Sequence, residues 1–159
     1  MLFTIKQAEQ TDKPLLMNVW EKLTQELHQR DFLPFGQPVL EERSQLLEEV
    51  LNNTLNNDKA VIYKALSTDG DLLGTLAVVL NVQVGFALPN SGVIFNLWIH
   101  QEHRKKGVGT ELVEAAKKWL KKQAATSVQV GWHPGNSAAD SFWKKQGFRN
   151  YEVIAAAPL

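Results

Sequence analysis

Cysteine is missing from all 159 residues. That excludes a disulfide framework, a zinc–thiolate site and a cysteine nucleophile, and it fits a reducing compartment. A charge excess is missing too: 17 Lys and Arg stand against 17 Asp and Glu. Binding to nucleic acid at large needs a basic field, so nucleic acid is not an expected partner. Long apolar runs are also lacking. No stretch is long and uncharged enough to span a bilayer, so no membrane partner is expected. Residues 1–8 alternate too early, and are too few, for a secretory leader. A cytoplasmic protein is the expectation. Repeats, low-complexity tracts and long linkers are equally missing. What the chain does have is 44% apolar residues, enough for one domain over 1–159 with a core of its own.

Hydrophobic periodicity divides the chain into elements. Residues 2–8 alternate like a strand. Thr11 reads as an N-cap, with Pro14 in the first turn of a helix over 12–28 that buries Leu15, Leu16, Val19, Leu23 and Leu27. Pro34, Gly36 and Pro38 mark a loop over 31–38, and a second helix follows over 40–56. Strands at 60–66 and 72–82, joined by a turn at 67–71, form an antiparallel hairpin. A turn at 89–92 leads to a strand at 93–100. Val93, Phe95, Leu97 and Ile99 are expected on one face, and Ile94, Asn96, Trp98 and His100 on the other. Both sets are mostly apolar, as in a strand covered on both sides. A helix over 107–123 carries Val108, Leu112, Ala116, Trp119 and Leu120 as its apolar stripe. A strand follows at 127–132. Asn136 or Ser137 caps a last helix, which Gly147 ends in the left-handed conformation. Residues 148–156 are expected as one or two strands. This order, β-α-α-β-β-β-α-β-α-β(-β), is an α/β sandwich of the α+β type. It has a mixed, mostly antiparallel sheet of six to seven strands and about four helices.

The segment from Val93 to Thr110 is the most informative. An apolar strand runs into a short polar loop, and a helix opens at two glycines. The first turn of a helix leaves backbone N–H groups unpaired, and an anion is their favoured occupant. Gly107 and Gly109 let a phosphate approach the backbone, and Arg104, Lys105 and Lys106 add positive charge. The Gly-x4-Gly-Lys-[Ser/Thr] loop of nucleotide triphosphatases is absent, as is the third glycine of a dinucleotide fingerprint.

This segment resembles the GNAT superfamily of acyl-CoA-dependent N-acetyltransferases. The signature Gln/Arg-x-x-Gly-x-Gly/Ala is matched by Arg104, Gly107 and Gly109. A second block of that family is matched by Asn136, Ala139, Phe142, Trp143, Lys145, Gly147 and Phe148, one helix and one strand further on. The resemblance implies acetyl-CoA as cosubstrate and no metal. It implies that the backbone of Leu97, Trp98 and Ile99 pairs with the pantetheine arm. The amides of Arg104, Lys105, Lys106, Gly107, Val108, Gly109 and Thr110 would hold the pyrophosphate. Asn136 would contact the cofactor arm, with Ser137 and Lys144 as further candidates, and Trp143 would lie near the leaving sulfur.

The chain departs from the pattern in places. Position 105 is often glycine in the family and is Lys here; position 101 is often proline and is Gln. At 143 many relatives carry a tyrosine as general acid. An indole N–H donates a hydrogen bond but no proton near neutral pH. Relatives often place a carboxylate on the fourth strand, where this chain has Phe95 and Asn96. Asn96, His133 and Tyr151 are the candidates for assisting proton transfer; His100 and His103 are read as local charge beside the loop. The implied activity is direct transfer of an acetyl group to a primary amine, on a small molecule or a peptide. The acceptor side is assigned to the first two helices and the 31–42 loop. The rival readings are a non-catalytic acyl-CoA-binding regulatory module and an unrelated anion-binding domain. The apolar stretch 153–157 is a candidate homodimer contact by analogy alone.

Overall fold

The computed structural model describes residues 2–28 and 42–154. Alternation near the N-terminus becomes β1 (Phe3–Gln7), and α1 (Lys13–His28) follows a single 3-10 turn, Gln10–Asp12. Thr11 does not cap the helix as expected. The chain turns one step earlier, and the Asp12 carboxylate accepts the Glu9 N–H at 2.8 Å. Then come α2 (Arg43–Leu55), β2 (Ala60–Ser67), β3 (Leu72–Val82), β4 (Asn90–Ile99), α3 (Val108–Lys122), β5 (Ser127–Val130) and α4 (Ser137–Lys145). The 31–38 loop, and the 31–42 loop assigned to the acceptor side up to residue 41, lie outside the described residues.

The five strands lie in sequence order, β1-β2-β3-β4-β5. The first three ladders are antiparallel and the last, β4 with β5, is parallel. A parallel neighbour needs a crossover, and α3 supplies it. The helix packs tightly on β4: a Cβ at Gly92 would overlap the Leu120 side chain.

The sheet separates two cores. On one face Leu112, Val113, Ala116 and Leu120 of α3, with Trp143 of α4, pack on Leu76, Val78 and Ile94. On the other, Leu16, Val19 and Trp20 of α1, with Leu51 of α2, cover Ile62, Ala77 and Trp98.

Two expectations are corrected. The sheet has five strands among the described residues, not six or seven. The tail beyond Phe148 forms no strand up to residue 154, and Tyr151, Val153 and Ile154 are 74%, 85% and 89% exposed. Alternation gains nothing without a partner strand to complete the ladder, and this segment pairs with none. The second correction concerns β4. Its alternation breaks at Asn96, whose φ of +49° is left-handed. The ladder with β3 shifts there: Ala77 faces Phe95 while Thr75 faces Trp98, so two residues of β4 oppose Leu76 alone. This β-bulge inverts the phase of the strand. Leu97 and Ile99 therefore share the α3 face with Ile94, while Trp98 joins Phe95 on the α1 face.

Candidate functional site

The parallel ladder is short. β5 pairs with Ser91 to Ile94 and ends at Val130, while β4 continues for another five residues. Past the bulge, β4 is held by β3 on one edge only, so the backbone of Leu97, Trp98 and Ile99 has no strand partner on its β5 side among the described residues. The result is a wedge between two parting strands, where no strand of the described residues covers the outer edge of β4. Asn96 sits at its apex. Asparagine is among the few residues that adopt a left-handed backbone readily, because its short side chain bonds locally.

From the open end of the wedge the chain runs through a 3-10 turn, Gln101–His103, to an extended Arg104 (φ −66°, ψ 151°). Lys105 and Gly107 both take left-handed conformations, with φ of +60° and +89°. α3 then starts with Gly107 as N-cap and no side chain capping it. Its first amides have no carbonyl one turn back, so they stand open to an anion at the end of the wedge. Lys105 and Lys106 are exposed beside them.

Two loop residues have structural neighbours that the sequence does not show. Arg104 is not a loose cation. Its Nε donates to the Ile99 carbonyl at 3.0 Å and its Nη2 to Glu26 Oε2 at 2.8 Å. The other Glu26 oxygen accepts the Trp98 indole N–H at 3.3 Å. Glu26 of α1 thus ties the end of β4 to the start of the loop. Sequence patterns do not single out Glu26, because 72 and 78 positions separate it from these partners. The side of Gly109 that lacks a side chain points at α4. A Cβ there would meet the Phe142 ring at 3.2 Å, so the missing side chain lets α3 approach α4.

The second block holds α4 against α3. Asn136 is the N-cap, its side chain accepting the Ala139 N–H at 3.2 Å. Gln146 Nε2 donates to Thr110 Oγ1 at 3.0 Å, and Lys117 Nζ donates to the Gln146 carbonyl at 3.1 Å. Gly147 takes the expected left-handed turn, with φ of +87°. Trp143 is buried between Phe142 and Phe148, edge-to-face with each at 5.0 and 5.2 Å. Asp140 accepts the Trp132 indole N–H at 3.2 Å and pairs with Lys144 at 2.8 Å. Its hydrogen bond with Lys144 holds the Asp140 carboxyl below the usual range.

The proton-transfer candidates come from three different segments. Asn96 lies at the wedge. His133 is exposed in the turn after β5, its Nδ1 accepting the Gly135 N–H at 3.0 Å. Tyr151 stands on the exposed tail. On the α1 face of β4, a cleft of about 600 Å³ is lined by Lys22, Glu26, Trp98, His100, Gln101 and Glu102.

A sheet that opens between β4 and β5 onto an uncapped helix joins an uncovered strand edge to an anion-favouring helix start. Residues 20–148 match the model of the acetyltransferase (GNAT) family, and the chain belongs to that family. The chain is similar to spermidine N(1)-acetyltransferase of Thermoplasma acidophilum, at 24% identity over 107 residues. That match covers 67% of this chain and 61% of the relative, so it spans less than two thirds of that protein's length. Two solved structures share the fold. One is a predicted acetyltransferase with acetyl-CoA from Clostridium acetobutylicum, with TM-score 0.77 and 17% identity, covering 99% of this chain and 96% of the other. The second is an aminoglycoside acetyltransferase from an uncultured soil metagenomic sample in complex with sisomicin, with TM-score 0.72 and 16% identity, again over 99% and 96%. No helix among the described residues is long and apolar enough to cross a membrane.

Proposed function

We propose that this chain is an acetyl-CoA-dependent N-acetyltransferase that moves an acetyl group directly to a primary amine of a small-molecule acceptor. The observation that carries the reading is the continuity of the wedge with the uncapped start of α3. The uncovered edge of β4 over Leu97, Trp98 and Ile99 matches the amides of a pantetheine arm. The amides of Arg104 to Thr110 match a pyrophosphate. Lys105 and Lys106 supply charge, and the Arg104–Glu26 pair fixes the shape of the loop. Asn136 caps α4 and contacts the cofactor arm, while Trp143 packs behind it.

The chemistry needs little from side chains. A neutral amine attacks the thioester carbonyl, a C–N bond forms, the C–S bond breaks, and the nitrogen loses a proton. The leaving thiol has a pKa of about 8.5, so it departs as thiolate without a strong acid, and Trp143 in place of tyrosine is tolerable. No cysteine is present to carry the acetyl group, so transfer is direct. Positioning supplies most of the rate, with backbone N–H groups at the bulge polarising the carbonyl. Asn96 orients the amine or a water, and His133 and Tyr151 are the remaining candidates for accepting its proton. Spermidine and sisomicin, the amines of the relatives above, set the acceptor class to test first.

Thermal unfolding with and without acetyl-CoA tests the cofactor site. At 100 times Kd the protein gains about 2.7 kcal/mol. No shift at millimolar acetyl-CoA rejects the reading. Free-thiol release with spermidine, sisomicin and short peptides then separates an enzyme from a non-catalytic acyl-CoA-binding module. The enzyme releases thiol only when an amine is present; the module releases none.

A further inference from the structure

The turn between β4 and the phosphate loop carries groups that acetyl transfer does not use. His100, Glu102 and His103 lie there, and one ligand atom from each falls within 4.8 Å of the other two. The geometry of the 3-10 turn is the cause. With three residues per turn, positions i and i+3 eclipse. The imidazoles of His100 and His103 therefore stand side by side, centroids 5.5 Å apart and tilted by 48°. The His103 N–H bonds the His100 carbonyl at 2.8 Å and closes the turn. Trp98 packs edge-on against His100 at 5.8 Å and holds its ring.

A second observation is independent of that proximity. The Nδ1 atoms of both histidines are shut off from solvent and have no hydrogen-bond partner among the described residues. Buried polar atoms are nearly always satisfied, so two orphaned imidazole nitrogens in one turn ask for a common explanation. Neutral imidazole is the commonest protein ligand for a metal ion.

We propose that His100, Glu102 and His103 form a binding site for one divalent transition-metal ion of the zinc, cobalt and nickel class. Two imidazoles and a carboxylate are the donor set of an open tetrahedral site, with water in the fourth position. Nitrogen donors favour these ions over calcium and magnesium, which take oxygen shells. Metal–nitrogen bonds near 2.0 Å place two ligands about 3.3 Å apart in a tetrahedron, so modest side-chain rotations must close the 4.8 Å cluster. Glu102 is exposed and free to swing inward. Arg104, next along the chain, has its charge paired with Glu26, which lowers its opposition to a cation. The sequence alone points to no metal and to two histidines acting as local charge, because eclipsed rings are a property of the folded turn.

The test uses tag-free full-length protein stripped with EDTA and titrated with Co²⁺, followed by visible absorption and calorimetry. One Co²⁺ binds per chain with saturable d–d bands, and one equivalent of Zn²⁺ displaces it. His100→Asn and His103→Asn each weaken binding at least tenfold. Glu102→Gln, a change at an exposed position, also weakens it while the melting temperature without metal stays the same; this arm guards against loss through misfolding. The proposal is overturned by failure to saturate near one equivalent. It is equally overturned if Glu102→Gln or the double histidine variant binds as tightly as the parent.

Discussion

Lys105 holds a left-handed backbone, φ +60°, inside the loop that turns β4 toward α3. A Cβ in that region crowds the following carbonyl at a cost of about 1–2 kcal/mol, which glycine avoids. Part of that gain is returned, because glycine has more freedom in the unfolded chain. Lys105→Gly is therefore expected to stabilise the fold by about 0.5–1 kcal/mol in urea denaturation. It should also weaken acetyl-CoA binding modestly by removing a cation; equal stability of variant and parent would contradict the strain argument. Gly109 poses the opposite problem. Its φ is not left-handed, and the constraint is the Phe142 ring, 3.2 Å from the point where a methyl group would stand. Alanine gains about 1 kcal/mol of helix propensity over glycine, which offsets a small displacement of Phe142. Valine has no such room. We expect Gly109→Ala to stay within about 1 kcal/mol of the parent, and Gly109→Val to lose about 1–3 kcal/mol through overpacking. The same denaturation curves measure both.

The elements are legible in the sequence where periodicity and packing agree. β3 has the expected bounds, and α2, α3 and α4 lie within a few residues of theirs. β4 shows where this fails. Asn90, Ser91 and Gly92 have the composition of a turn, yet they extend the strand by pairing with Val82, Asn81 and Leu80. A long-range ladder overrides local preference there. The bulge at Asn96 leaves one trace in the sequence, a polar residue tolerant of left-handed backbone within an apolar strand, and simple alternation assigns the faces beyond it wrongly. The glycine-opened helix and the second block are legible, and they mark the end of the site proposed for the cofactor. The Glu26 clip and the paired histidines depend on folding and leave no such mark. Gly92 also tests the element-scale packing. Its missing Cβ makes room for Leu120, which is buried at 3% exposure. Gly92→Ala must displace the Leu120 side chain from its place between α3 and β4. The expected loss is about 1–3 kcal/mol, and a paired Leu120→Ala should recover part of it. Purely additive effects in that double-mutant cycle would show that the two residues do not meet.

At the scale of the molecule, the sheet has helices on both faces, and the α1 face is fastened at its edge by an ion pair. Lys64 of β2 donates to both oxygens of Asp12 at 2.6 Å, joining residues 52 positions apart. Their side chains are only 16% and 14% exposed, so solvent screens the pair weakly. Burial alone would raise the Asp12 carboxyl, but the Lys64 hydrogen bond and the Glu9 amide outweigh it and hold the group below its ordinary value of 3.8. A carboxyl that is harder to protonate in the folded chain adds stability in its ionised state. That contribution is complete at pH values above the ordinary carboxylate range. It fades as pH falls through 3.8 and is lost below the lowered folded value. Asp12→Asn keeps the shape and removes the charge, leaving the Lys64 ammonium half-buried without its partner. The expected cost at neutral pH is about 1–3 kcal/mol. The stability gap between parent and variant should be constant from neutral pH down to about pH 5 and close toward pH 2. Urea unfolding of both proteins across that range measures it. A gap that stays open at pH 2 would mean that Asp12 acts through packing and the Glu9 turn, and not through its charge.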